Sequence, residues 1–135
     1  MPFYETVLGL MGMTAVVKAP TGLYMIGGRT GVLISQSSPE HRGGTFEQRR
    51  IGLHHLCFRA RSREDIDALH SQLVSHAVRI VRPPSVGDWA EGYYSLLFED
   101  PEGIRLEVNF VPGKGHFDDP SKLPLSEFPR SGNRR

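Results

Sequence analysis

The chain has 135 residues, a formal net charge of +1 at pH 7 and a single cysteine, Cys57. That length holds one domain or two small modules sharing a core. A near-neutral chain offers no field for nucleic acid or an anionic membrane, one cysteine excludes an internal disulfide, and no apolar run of about 18 residues is present to span a bilayer.

The start, Met1-Pro2-Phe3-Tyr4-Glu5, has neither the basic region nor the apolar stretch of a secretory signal. The expectation is a cytoplasmic protein in a reducing compartment. Phe3 to Leu8 reads as the end of a helix closed by Gly9. Met13 to Lys18, Leu23 to Ile26 and Val32 to Gln36 read as strands. They are separated by the turn Ala19-Pro20-Thr21-Gly22 and by Gly27, Gly28 and Gly31. Ser37 to Arg50 is a polar loop.

Ile51 to Ala60 then reads as a strand. Ser62-Arg63-Glu64-Asp65 is a helix start, with Ser62 as N-cap and acids in the first turn. Ile66, Leu69 and Leu73 give an apolar stripe at helical spacing up to about His76. Val78 to Val81 is a short strand ending at Pro83-Pro84. Tyr93 to Glu99 and Ile104 to Phe110 are strands joined by the turn Asp100-Pro101-Glu102-Gly103. The proline-bearing stretch after Val111 reads as an extended tail.

One pair of side chains stands out. Strand alternation turns Leu56 and Phe58 to one face, so His55 and Cys57 take the other. Leu106 and Val108 likewise leave Arg105, Glu107 and Asn109 on the far side. An imidazole and a carboxylate on one sheet face make half of a divalent-metal site, or a plain sheet-face ion pair. His54 is the competing imidazole, on the Leu56 side by alternation. Cys57 reads as a small wall residue.

The two halves look like one unit written twice, with Gly31-Val32-Leu33-Ile34-Ser35 matching Gly103-Ile104-Arg105-Leu106-Glu107. On this register the counterpart of His55 falls before Met1, so the first copy lacks its first strand. The run His55-Leu56-Cys57-Phe58, the Ser62 to Leu69 helix start, the Pro83-Pro84 loop, Gly92-Tyr93-Tyr94 and Phe98 to Glu107 together resemble the second module of the vicinal oxygen chelate superfamily. Glyoxalase I, fosfomycin-resistance enzymes, extradiol dioxygenases and bleomycin-resistance proteins belong to it. Phe3 to Leu10 resembles the helix end of its first module.

The resemblance implies an α+β fold of paired βαβββ modules forming a half-open cupped sheet around a cavity. The expected layout is a truncated first module over 1–36, a linker over 37–50, a full second module over 51–111 and a tail over 112–135. It implies that His55 and Glu107 are metal ligands, for zinc, nickel, manganese, iron or magnesium. It also implies a small-molecule substrate with adjacent oxygens and lyase, isomerase or dioxygenase chemistry, with Glu107 able to shuttle a proton. Ser35 and Gln36 stand where the first module would place a ligand, and serine is a poor one. The third donor is expected either from a partner subunit or from coding sequence upstream of an incorrectly chosen start, and the missing strand also points to a homodimer. The alternatives are a metal-free ligand-sequestering protein of the bleomycin-resistance kind and a catalytically silent chain. A glycine is expected at Ala77.

Other candidates flank the pair. Trp89, Tyr93 and Tyr94 read either as packing or as a cavity wall that stacks a planar substrate. Arg105 reads as a grip on a substrate carboxylate or phosphate, or as the partner of a carboxylate across the sheet. Asn109 shares its face.

Overall fold

In a computed structural model, residues 1–113 are described. Helix α1 spans Pro2–Leu10, followed by strands β1 Thr14–Ala19, β2 Gly22–Gly27 and β3 Thr30–Ser35. Strand β4 spans Leu56–Arg59, helix α2 Arg63–Ser75, and strands β5 Arg79–Val86, β6 Tyr94–Glu99 and β7 Arg105–Phe110. The tail expected over 112–135 lies outside the described residues from 114 onward.

The strands form an antiparallel three-stranded sheet in the order β1-β2-β3 and a four-stranded sheet in the order β4-β7-β6-β5. Strand β4 runs parallel to β7 and the other pairs are antiparallel. The expected α+β fold stands, with helix-then-strands in the first half and βαβββ in the second. Neither sheet closes into a barrel.

Both helices cover one side of the sheets. Tyr4, Val7 and Leu8 of α1 meet Leu23 and Met25 of β2 in one buried cluster. Ile66, Leu69 and Leu73 of α2 meet Leu96, Phe98, Leu106 and Val108 in that same cluster. Each such side chain contributes about 1.5–3 kcal/mol on burial. The Asp100-Pro101-Glu102-Gly103 turn ties the halves together. Asp100 Oδ1 accepts from the amides of Glu102 and Ile104 at 2.9 and 2.7 Å, while Oδ2 accepts from the Tyr4 hydroxyl at 2.7 Å.

Helix α2 begins as its cap foretells: Ser62 Oγ accepts from the Asp65 amide at 3.1 Å. It ends with Ala77 in the left-handed region at φ 55°, where the Val78 amide reaches back to the Leu73 carbonyl at 3.0 Å. A Cβ is strained there, and glycine relieves it at the cost of a freer unfolded chain. Ala77→Gly is therefore expected to stabilise the fold by about 0.5–1 kcal/mol, read as a rise of a few degrees in Tm. An unchanged or lower Tm would contradict this.

Three expected boundaries shift. Helix α1 runs past Gly9 to Leu10, and Gly12 follows its Met11 cap at φ 80°. Strand β4 starts at Leu56 rather than Ile51, because its partner rungs begin only at Leu56 opposite Leu106 and Gly52 bends the chain at φ 147°. Strand β5 runs through Pro83 and Pro84 instead of ending before them. It is an edge strand whose pairing shifts register between Arg82 and Ser85, so the prolines sit where no ladder donor is required.

Candidate functional site

Cross-strand partners share a face, so the register lays out the polar side of the four-stranded sheet in rows. One row holds Cys57, Glu107, Leu97 and Arg82. The next holds Arg59, Asn109, Ser95 and Ser85. The third holds Arg105, Glu99 and Arg79. The opposite face carries Leu106, Val108, Leu96 and Phe98, all in the core.

Glu107 is the centre of this face and is buried. Its Oε1 accepts from the Tyr93 hydroxyl and from Asn109 Nδ2 at 3.0 Å, with Cys57 Sγ at 3.7 Å. Its Oε2 faces His55 Nε2 at 3.6 Å. The structure thus brings His55 and Glu107 together, although His55 lies just before the strand rather than within it.

Partial burial lowers the His55 pKa below its usual 6.5. The Glu107 charge opposes this, while His54, Arg105 and Arg82 add to the lowering. The shift favours the neutral form of the imidazole. His54 is exposed and packs its ring edge-on against His55, with the two Nδ1 atoms 2.6 Å apart. Its carbonyl accepts from Gln48 Nε2 of the preceding loop. His54 thus orients His55 and does not replace it beside Glu107.

The aromatic candidates divide. Tyr93 is buried beside Glu107, and burial with that hydrogen bond pushes its phenol up to about 12, so it stays a donor. Trp89 is half-buried and lies with Tyr93 beside Gly87: a Cβ there would stand 3.0 Å from the Tyr93 ring and 3.7 Å from Trp89 Cδ1. Tyr94 points to the helix face instead. Its hydroxyl donates to Asp67 Oδ1 at 2.8 Å and Arg63 lies over its ring. Of the two readings, packing or cavity wall, Tyr94 thus takes the packing side, because adjacent strand residues point to opposite faces.

The arginines divide too. Arg105 Nε donates to Glu99 Oε1 at 3.2 Å, and Arg79 Nη1 lies 3.1 Å from Glu99 Oε2, so Arg105 takes the cross-sheet partner. Arg82, which sequence reasoning missed, donates from Nη2 to Ser95 Oγ at 2.7 Å, and its buried Nε has no hydrogen-bond partner among the described residues. Strict alternation from the core-packed Ile80 would turn Arg82 to the core side, and the register shift between Ile80 and Arg82 sets it on the polar face instead. It was hidden because strand β5 was not expected to continue into the prolines, past a bulge.

Cys57 keeps contact with solvent, yet crowding around its sulfur and the Glu107 charge push its thiol up to about 12. It is therefore expected to alkylate with iodoacetamide at pH 8 roughly two to three orders of magnitude more slowly than a free thiol. Alkylation at the free-thiol rate would contradict that environment.

Among the described residues no three His, Cys, Asp or Glu side chains stand together at metal-holding spacing. None of the described helices is long and apolar enough to cross a membrane. Residues 1–108 match the family model of the Glyoxalase/Bleomycin resistance protein/Dioxygenase superfamily. The chain is 27% identical over 109 residues to the uncharacterized protein YqjT of Bacillus subtilis, covering 78% of this chain and 84% of that one. The crystal structure of a candidate glyoxalase from Bacillus halodurans superposes with TM-score 0.72 at 28% identity, over 82% of this chain and 84% of that one. Lactoylglutathione lyase from Agrobacterium tumefaciens shares the fold with TM-score 0.55 at 23% identity, over 80% of each chain. With the βαβββ element order and the match over residues 1–108, the chain belongs to the glyoxalase/bleomycin resistance protein/dioxygenase superfamily.

Proposed function

We propose that this chain is a metal-dependent enzyme of lyase, isomerase or dioxygenase type, acting on a small molecule with adjacent oxygens, with His55 and Glu107 as its metal ligands. One observation carries the reading: Glu107 keeps one oxygen bonded to Tyr93 and Asn109 while the other faces the His55 imidazole. Two donors bonded to one ion at about 2.1 Å and a tetrahedral angle lie about 3.4 Å apart. The 3.6 Å between His55 Nε2 and Glu107 Oε2 fits that spacing. A divalent ion would supply Lewis-acid stabilisation of charge developing on substrate oxygen.

The protein's own groups do the rest. Tyr93 and Asn109 fix the Glu107 carboxylate through Oε1, as outer partners of a ligand do. Glu107 Oε2 is the atom we assign to take a substrate proton in an isomerase step. Tyr93 offers aromatic surface beside it, with Trp89 next in line across Gly87. Asn109 is bonded to Glu107 on one side and accepts from Arg59 Nη1 at 3.1 Å on the other, so it relays position rather than contacting substrate.

Two protein donors hold a metal weakly, and we assign the third to a second copy of the chain. The side of the three-stranded sheet away from the helices supports that pairing. It carries Val17, Tyr24 and Leu33 in one cross-strand row, and Leu33 is 70% exposed, a loss of burial that a partner would recover. Light scattering at micromolar concentration is expected to give a dimer, and a monomer holding a full complement of metal would contradict the shared site.

A second reading, a metal-free ligand binder, is favoured by Arg59 and Arg82, whose charges oppose a bare dication. Purified protein that takes up no divalent metal yet binds an aromatic ligand would establish it in place of the first.

A further inference from the structure

The polar face of the four-stranded sheet carries four guanidiniums, from Arg59, Arg79, Arg82 and Arg105, against two carboxylates, Glu99 and Glu107. Glu99 takes both Arg79 and Arg105. Glu107 faces the His55 imidazole and the hydroxyl, amide and thiol groups around it, and no guanidinium among the described residues. Arg59 and Arg82 are left with neutral partners alone, Asn109 Oδ1 and Ser95 Oγ. No ion pair between either of them and a carboxylate occurs among the described residues.

Both cations serve the same row. Ser95 and Asn109 are paired neighbours in it, Arg82 reaches Ser95 from the β5 edge and Arg59 reaches Asn109 from the β4 edge. Ser95 is only 1% exposed and Asn109 5%, so the middle of this row is sheltered from water, with Arg82 half-buried and Arg59 exposed at its two ends. Arg82 stands in the cross-strand row that runs through Leu97 to Glu107, which places it on the face of the proposed reaction centre. Its buried Nε is a donor with no hydrogen-bond partner among the described residues, so its desolvation is not offset there. An uncompensated guanidinium fork in a sheltered site suits a planar or tetrahedral oxyanion.

We infer that the substrate of this site is an organic oxyanion, a carboxylate or a phosphate, held by Arg82 with Arg59 as the second cation. This names a substrate class for the proposed enzyme and rests on that reading for its chemistry, but the anion grip stands on its own residues. Arg105, the arginine that the strand pattern brings forward, is occupied by Glu99 and does not perform this role.

The test is calorimetric titration of the full chain with benzoate, phenyl phosphate and the uncharged benzamide, with Trp89 fluorescence as a second signal. Benzoate or phenyl phosphate is expected to bind, whichever is tighter identifying the anion, and benzamide at least about tenfold more weakly. Arg82→Gln is expected to weaken the preferred anion by about tenfold or more, and Arg82→Lys, which keeps the charge without the fork, by less. Equal affinity for benzamide, an unchanged Kd in a folded Arg82→Gln protein, or no binding of either anion at millimolar concentration would overturn the inference. Repeating the titration after chelator treatment separates the two proposals. Arg82-dependent anion binding without any metal uptake sinks the metal reading alone, and metal uptake without an anion preference sinks this one alone.

Discussion

Glu107→Gln is expected to weaken divalent-metal affinity by a factor on the order of 10²–10³. Structural zinc sites gain about 10–16 kcal/mol from four ligands, so one charged ligand accounts for a few kcal/mol, and each 1.4 kcal/mol is tenfold. Turnover of any substrate should fall at least in proportion, because the same oxygen is assigned the proton. The fold should survive, since glutamine keeps an oxygen at the Oε1 position to accept from Tyr93 and Asn109. The measurement is competition with a chromogenic chelator, alongside a thermal melt. Unchanged metal affinity in a folded variant would remove Glu107 from the ligand set. Tyr93→Phe and Asn109→Leu should cost less, about 10–100-fold, as loss of an outer partner does.

Asp100→Ala is the substitution expected to cost the most stability outside the core, about 3 kcal/mol. It orphans the buried Tyr4 hydroxyl and two backbone amides at once, each worth about 1–3 kcal/mol when left unpaired. Relief of a buried carboxylate offsets part of that. Against a total of about 5–15 kcal/mol, the loss is large and shows directly in urea denaturation. Tyr4→Phe alone should cost less, because both backbone amides keep Asp100 Oδ1 as acceptor. A double-mutant cycle with no coupling between the two positions would contradict the bond that joins α1 to the turn.

The same bond sets a pH dependence. Burial and then Asp100 hold the Tyr4 phenol well above its ordinary value near 10. Its contribution is complete below pH 10, where both folded and unfolded chains keep the proton. It is lost as pH rises from there toward the folded value, because the unfolded chain releases the proton first. Tyr4→Phe should flatten that part of the alkaline stability curve.

Much of this was legible in the residues. Period-two alternation turned Glu107 and Asn109 away from Leu106 and Val108, and Ser62 and Asp100 announced a helix start and a turn through side chains that bond their own backbone. Face alternation pointed to His55 beside Glu107, and the two do approach within 3.6 Å although His55 precedes the strand. What stayed hidden depends on partners in other strands. Nothing local says that Arg105 is claimed by Glu99 while Arg82 is not. Nor does the sequence show that β5 can carry Pro83 and Pro84 because it is an edge. Tyr93 and Tyr94 look equivalent as neighbours, and only the burial of Tyr93 against Glu107 separates them.

The most direct measurement is the metal content of the purified full chain, after loading with zinc, nickel or manganese and removal of excess, beside a His55→Ala variant of equal Tm. Bound metal near one ion per site in the native chain, and its loss in the variant, is the predicted result. A native chain that holds none, or a His55→Ala chain that holds as much, would show that this imidazole and its facing carboxylate do not form a metal centre.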